Sequence, residues 1–432
     1  MSGEAIVARI DKVEEIPDAN TIQIAYVLGE RCIVGKDSKV GDIGILFPAE
    51  TQLSEEYCHR NNLYRHSDKN ANTDQKGFFE DNRKVRAMKF MKVKSEAYFA
   101  PITSVDFATW SELKVGDRFK EFNGVKICDK FLSPKSVSSI KNRPARKKIE
   151  TPLFHQHVDT EQFKYYVDKI PVGATLSFHA KVHGTSARYS HTIVKQPPSS
   201  IKERILDLVG LYNNERWDFV AGTRRVILYQ SDHEKMGFNG PESWRLEWLE
   251  KLKPHLNRGV TVYGEIVGYA NGSPIMAKHD VTLLKDKRYE EKYGKEIVYK
   301  YGCPEGTNRF IVYRVTYTTI DGNEIDLSVD QMRHWCEVRG LEHTKLVGVP
   351  CKYTGAADYV RDYVEGLTER TDSWQGAELT EDWYDASHIS EGIVIRVDYK
   401  DTTPTFYKNK SFAFKVLEGI ANLTEVDLED VS

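Results

Sequence analysis

Apolar and polar positions alternate through the first ~125 residues at close to period two, the spacing of half-buried strands. The runs Ala5–Ile10, Thr21–Leu28, Cys32–Gly35 and Gly44–Pro48 carry the pattern. Asp18-Ala19-Asn20 and Gly29-Glu30 supply turns between them. Short strands about ten residues apart predict a small barrel or sandwich. The polar stretch Ser67–Gly77 predicts a loop, and strand-like alternation resumes over Val85–Val93. There Arg86, Lys89 and Lys92 either follow a phosphate backbone or form an ordinary solvated face.

A connector follows whose core, Lys141–Lys148, has five basic residues in eight and is interrupted by Pro144. It reads as a hinge or a solvated linker. Beyond it the period changes. Strand runs at Ala174–Ala180, Phe219–Ala221, Val260–Val267, Arg309–Val315 and Ile393–Val397 alternate with helical periodicity near 201–211, 244–253, 328–338 and 357–366. No repeat of fixed period is present. The expected architecture is α+β: an OB-like β module over 1–125, a basic linker over 126–150, and a second domain of antiparallel sheets and helices over 151–432.

Composition narrows the class. No run approaches the roughly 18 apolar residues of a membrane span, and the first residues lack a secretory pattern, so a cytosolic protein with no membrane partner is expected. The six cysteines form no CxxC pair, which argues against a zinc module and for reduced thiols. A net charge of −3 argues against bulk attraction to nucleic acid and leaves a local basic groove open.

The sharpest chemical feature is Lys181-Val182-His183-Gly184-Thr185-Ser186, directly after a strand. Alone it reads as a turn with a solvated lysine. Four segments follow: Tyr263-Gly264-Glu265-Ile266, Phe310-Ile311-Val312-Tyr313, Ser390-Glu391-Gly392-Ile393-Val394-Ile395-Arg396, and Lys408-Asn409-Lys410-Ser411-Phe412-Ala413-Phe414-Lys415. In this order and spacing they resemble motifs I, III, IIIa, IV and V of the covalent nucleotidyltransferases, over about residues 151–416. Histidine at 183, where DNA ligases and capping enzymes usually have aspartate, is more like the nick-sealing RNA ligases. Residues 1 to about 105 resemble the OB domain of the type 5 RNA ligase family, with extra length here near 190–215 and 270–306.

The resemblance implies an ATP-dependent RNA ligase that joins 3′-hydroxyl and 5′-phosphate ends of RNA-containing duplexes, as a monomer, through AMP carried on Lys181. It places His183 and Gly184 in the nucleotide-binding turn, Glu265 near the ribose, and Lys408 and Lys410 on the α-phosphate, with Lys415 as a companion. Phe310 becomes the aromatic stacked on adenine, with Tyr313 the competitor, and Arg224 the phosphate clamp, with Arg225 the alternative. Glu391 becomes the ligand of Mg2+ or Mn2+, a hard cation that prefers oxygen donors. His183 reads either as a base or as only a structural element of the turn. Two departures stand out: Ser186 where the motif often has asparagine, and Ala180 where some relatives have glutamate.

A DNA ligase or capping-type enzyme is the enzymatic alternative; His183 and an OB-like module ahead of the catalytic domain count against it. A non-catalytic OB-fold RNA-binding protein is the other, opposed by retention of Lys181, Glu391 and the lysines near 408.

Overall fold

Fold and side-chain contacts come from a computed structural model that describes residues 3–425 apart from 91–92, 106–112, 132–149, 196–197, 199, 209–214, 229–235, 238–239, 370–380 and 401. The basic run Lys141–Lys148 lies outside the described residues, as does part of the 190–215 insertion.

The N-terminal module is β-rich, as its alternation predicts. Strands β1 (Ala5–Arg9), β2 (Lys12–Glu15), β3 (Ile22–Val27), β4 (Glu30–Gly35), β5 (Ile43–Pro48) and β6 (Thr51–Leu53) precede a short helix α1 (Glu55–Arg60). Then come β7 (Ala87–Phe90), β8 (Val93–Ser95), β9 (Ala97–Pro101), β10 (Arg118–Phe119) and β11 (Cys128–Lys130). One sheet runs β10-β1-β5-β9, and β2-β3-β4 form a meander beside it. Among the described residues the pairings remain several short sheets rather than one closed ladder. Because β11 pairs with β6, the module extends to Lys130, past residue 125.

The second unit is two antiparallel sheets facing each other across a cleft. Its elements are β12 (Thr175–Ala180), β13 (Thr185–Lys195), α2 (Ile201–Leu208), β14 (Glu215–Gly222), α3 (Ser243–Leu252), β15 (Val260–Ala270), α4 (Lys287–Tyr293), β16 (Asn308–Thr318) and β17 (Glu324–Asp326). They continue with α5 (Val329–Glu337), β18 (Cys351–Lys352), α6 (Ala357–Glu369), β19 (Gly392–Asp398), β20 (Thr405–Lys410), α7 (Phe412–Leu417) and β21 (Ala421–Glu425). The smaller sheet has the order β20-β19-β12-β18, with Glu161 and Gln162 added in parallel at its β20 edge. The larger has the order β14-β13-β15-β16-β17.

Each sheet buries its outer face against helices. Leu246, Leu249 and Leu252 of α3 and Met332 of α5 pack with Tyr189, Val262 and Phe310 of the larger sheet. Val360 and Val364 of α6 pack with Leu176, Phe178 and Ile395 of the smaller sheet. With outer faces dry, polar side chains at alternate strand positions point into the cleft.

Candidate active site

Register places the charged groups. Ala180 pairs with Ile393, and Gly392 pairs with Lys410. Lys181, Glu391 and Lys410 therefore meet at one end of the smaller sheet. The Lys181 N–H donates to the Gly392 carbonyl (2.9 Å), and its Nζ rests 2.9 Å from Glu391 Oε2. Lys410 Nζ lies 3.0 Å from Glu391 Oε1 and donates to Glu418 (2.5 Å). His183 Nδ1 lies 3.4 Å from Glu391.

Glu391 is buried at 4% exposure, which only its cationic neighbours make tolerable. Burial pushes its carboxyl up, but the Lys181 and Lys410 ammoniums prevail and hold it well below the usual carboxylate range. Burial likewise pulls Lys410 down, while Glu391 and Glu418 hold it above an ordinary lysine. Lys408, two positions earlier on the same face, has no such ion pair among the described residues. Burial, then Lys410 and Lys181, bring it down to about 8. Asn409 between them faces the other way and donates to Glu365 (3.0 Å) and Thr368 (2.9 Å) on α6.

Two glycines permit this geometry. A Cβ on Gly184 would sit 2.7 Å from the Ile266 carbonyl, so only glycine lets the lysine turn lie against β15. Gly392 adopts φ +130°, and a Cβ there would meet the Asn409 carbonyl at 2.1 Å.

A cavity of about 130 Å³ opens beside Lys181 between the sheets. On the larger sheet, Ser186 pairs with Glu265, and its hydroxyl donates to that carboxylate (2.7 Å). Burial pushes the Glu265 carboxyl up to about 7 against the pull of Lys181. Its second oxygen has no hydrogen bond among the described residues. Arg224 lines the cavity and is ion-paired with Asp159. Arg225 reaches the same aspartate at 3.9 Å but is the more exposed of the two, and it is not part of the cavity wall.

The two candidate aromatics lie on opposite sides of the larger sheet. Phe310 is buried at 2% exposure in the core beneath the larger sheet, beside Tyr189 and Trp248. Tyr313 lines the cavity instead. Positions 310 and 313 fall on opposite faces of the strand, and a β-bulge leaves Tyr313 itself unpaired, since Tyr263 pairs with Arg314 and Gly264 with Val312. Lys415 is also elsewhere, at the junction of the two modules near Glu30 and Lys164.

Among the wall residues that went unnoticed in the sequence are His157, His179 and Thr344. His157 packs between Tyr313 and Phe406, with ring centroids 4.8 and 5.1 Å apart. Burial pulls both histidines down to about 3, so they are neutral. His179 had a signal, since two residues before Lys181 on a strand means the same face. His157 sits in a loop and had none.

This lysine–glutamate–lysine cluster, at the mouth of a cleft between two antiparallel sheets, defines a nucleotidyltransferase-type site. A family model described as RNA ligase matches residues 175–417, more than half of the chain, and the protein belongs to that family. No curated protein matches it. Among solved structures it resembles a Naegleria gruberi RNA ligase mutant in its apo form, with 16% identity, TM-score 0.58, and 97% of this chain and 99% of that one covered. A mutant of the same enzyme with AMP and Mn gives 15%, 0.55, 96% and 98%. The enzyme with PPi gives 15%, 0.56, 95% and 97%. At such identities the likeness establishes the shared fold, mixed α+β with mostly antiparallel sheets. Among the described residues no helix is long and apolar enough to cross a membrane.

Proposed function

We propose that this RNA ligase uses ATP to load AMP onto Lys181 and then seals a 3′-hydroxyl to a 5′-phosphate, on nicked RNA-containing duplexes. The observation that carries the reading is the contact of both Lys181 and Lys410 with Glu391, with Lys181 in the wall of a cavity sized for part of a nucleotide. The Naegleria enzyme, solved with ATP and Mn, supports the choice of cofactors.

In this reading Lys181 Nζ, having released a proton, attacks the α-phosphorus. A P–N bond forms, the bond to the bridging oxygen breaks, and pyrophosphate leaves with the electron pair. The 5′-phosphate of the RNA then displaces the lysine, giving an adenylylated end. The 3′-hydroxyl attacks that end, loses its proton, and expels AMP. Phosphoryl transfer of this kind asks the protein mainly for positioning and neutralisation of charge. Lys408 and Lys410 supply cations to the α-phosphate, and Arg224 a further one. Glu265 accepts from the ribose, and Tyr313 replaces Phe310 as the face against adenine.

His183, Glu391 and Glu418 offer ligand atoms within 4.8 Å of one another, and Glu391 Oε2 has no well-aligned hydrogen bond. This donor set fits a divalent cation, with Glu391 as its principal ligand. Such a cation would supply Lewis-acid neutralisation of the phosphates. Bound there, it would also release Lys181 from its ion pair, a precondition for nucleophilic attack. We also place the protein in the cytosol as a monomer, with an OB-like RNA-binding module that runs to Lys130, a linker from there to residue 150 and 151–432 as the catalytic domain.

The test incubates protein with Mg2+ or Mn2+ and ATP labelled at the α-phosphate, then reads label on denatured protein, with Lys181→Ala and labelled GTP as controls. Label that needs ATP, metal and Lys181 supports the reading. Absence of label, together with absence of a bound AMP by intact mass, would refute it.

A further inference from the structure

We infer that the segment from His279 to Tyr301, which links the strand of Glu265 to the strand of Tyr313, braces the lysine turn, and that Tyr301 is a positioning residue for lysine adenylylation. The inference rests on the role proposed for Lys181. It also gives a purpose to the extra length near 270–306.

The turn is held from two sides. Lys181 itself is fixed by its N–H to the Gly392 carbonyl on β19. The next two residues are held by the brace. Val182 is buried in a cluster with Val281, Leu284 and Ile297. The His183 N–H donates to the Tyr301 hydroxyl at 2.7 Å, a buried bond across 118 positions of sequence. The His183 ring meets the edge of Tyr299 at 4.6 Å, and His279 lies 5.9 Å away at 30°. His279 Nδ1 in turn contacts the Tyr299 hydroxyl at 2.8 Å.

Tyr301 is held in an unfavourable conformation to do this. Its φ is +52°, a left-handed value uncommon for a bulky side chain, and it is fully buried. Pins on both sides maintain it. The Tyr301 carbonyl accepts from Arg309 Nη1 (2.6 Å), at the start of β16, and the Gly302 N–H donates to Asp385 (2.7 Å). A buried N–H is a group that folded proteins almost always satisfy. The Tyr301 hydroxyl meets that need for His183 while fixing where Lys181 and His183 stand relative to Glu391. In-line attack is sensitive to displacements of this size.

Tyr301→Phe keeps the ring and removes only the oxygen that accepts from His183. Self-adenylylation at saturating ATP should slow about 10- to 100-fold, with KM for ATP held within about threefold. Sealing of a nick whose 5′ end is already adenylylated bypasses attack by Lys181, and it should stay within about threefold of wild type. Tyr57→Phe, which deletes a buried hydroxyl bonded to Ser104 in the N-terminal module, controls for general structural damage and should leave both rates unchanged. Equal adenylylation by Tyr301→Phe and wild type would overturn the brace. So would a parallel loss of both steps, since that describes damage rather than aim. Wild-type protein that takes no label would instead remove the role of Lys181, on which the brace depends.

Discussion

Glu265 shows how a single side chain ties the site to stability. Its carboxyl, pushed up to about 7 chiefly by burial, stays protonated in the folded protein at pH values where the unfolded chain has already ionised it. The sign follows from proton binding. The folded state binds the proton more tightly, so this contribution is complete below about 4.5 and is lost as pH rises to about 7. Glu265 sits on a cleft wall rather than in the deep core, which discounts the effect to about 1–2 kcal/mol. Urea unfolding at pH 5 and pH 8 should therefore show wild type losing more stability than Glu265→Gln between the two. Tyr313 and Phe310 separate in a different measurement. Tyr313→Leu should raise KM for ATP about 10-fold, the loss of one aromatic face, with little change in stability. Phe310→Ala should cost about 3–5 kcal/mol by opening the core. Strand alternation puts these two on opposite faces of one β-prone run, but which face meets the cleft depends on tertiary packing that the run itself does not show. The bulge at Tyr313 is likewise a property of the pairing with β15, not of local sequence. Lys181, Glu391, Lys408 and Lys410 were legible because they fall in the ordered motifs, each on or beside a strand that announces itself by alternation. His157 and Asp159 were not, since a loop has no period to read.

At the scale of elements, the site is a consequence of register. Sliding β19 against β20 by one residue would turn Lys408 and Lys410 away from the cleft and bring Asn409 into it. Gly392 guards that register: it pairs with Lys410, follows Glu391, and leaves no room for a Cβ against the Asn409 carbonyl. Gly392→Ala should therefore splay the pair and displace Glu391 and both lysines together. Adenylylation should fall below detection, with at least about 2 kcal/mol of stability lost. By contrast, Gly173→Ala, also at positive φ but with nothing within 4 Å of its Cβ, should leave activity intact and cost only backbone strain. Comparing the pair in thermal melts and labelling assays separates steric exclusion from conformational strain. The strands of this unit were readable as strands from their Val, Ile and Tyr content. Their order in two sheets was not, since β12 and β13 are adjacent in sequence yet belong to different sheets, and only the Lys-x-His-Gly turn between them makes the crossing.

At the scale of the whole molecule, the N-terminal module is attached by chemistry as well as by chain. The last described strand, β21, pairs in parallel with β7, and Lys84 donates to the Gly419 carbonyl at 2.9 Å. Between the modules Lys164 is buried at 6% exposure, 3.6 Å from both Glu30 of β4 and Glu365 of α6. Burial pulls the Lys164 ammonium down, but Glu30 and Glu365 outweigh it and hold the group well above an ordinary lysine. The Tyr165 hydroxyl donates to the other oxygen of Glu30 at 2.9 Å. Glu365 also accepts from Asn409, the residue between Lys408 and Lys410, so the junction lies one hydrogen bond from the strand of those two lysines. Removing one member of such a buried cluster leaves the others uncompensated, a loss of about 3–5 kcal/mol. Lys164→Met should impose that loss at the junction, leaving each module's own core unaltered. Calorimetry should then resolve two transitions where wild type shows one, with the first insensitive to ATP if it reports the N-terminal module. The double variant Lys164→Met with Glu30→Gln should recover part of the loss, since it removes the stranded carboxylate. A single transition in Lys164→Met, shifted by less than about 1 kcal/mol, would mean that the junction is solvated in solution and that the covalent chain, not this cluster, holds the modules together.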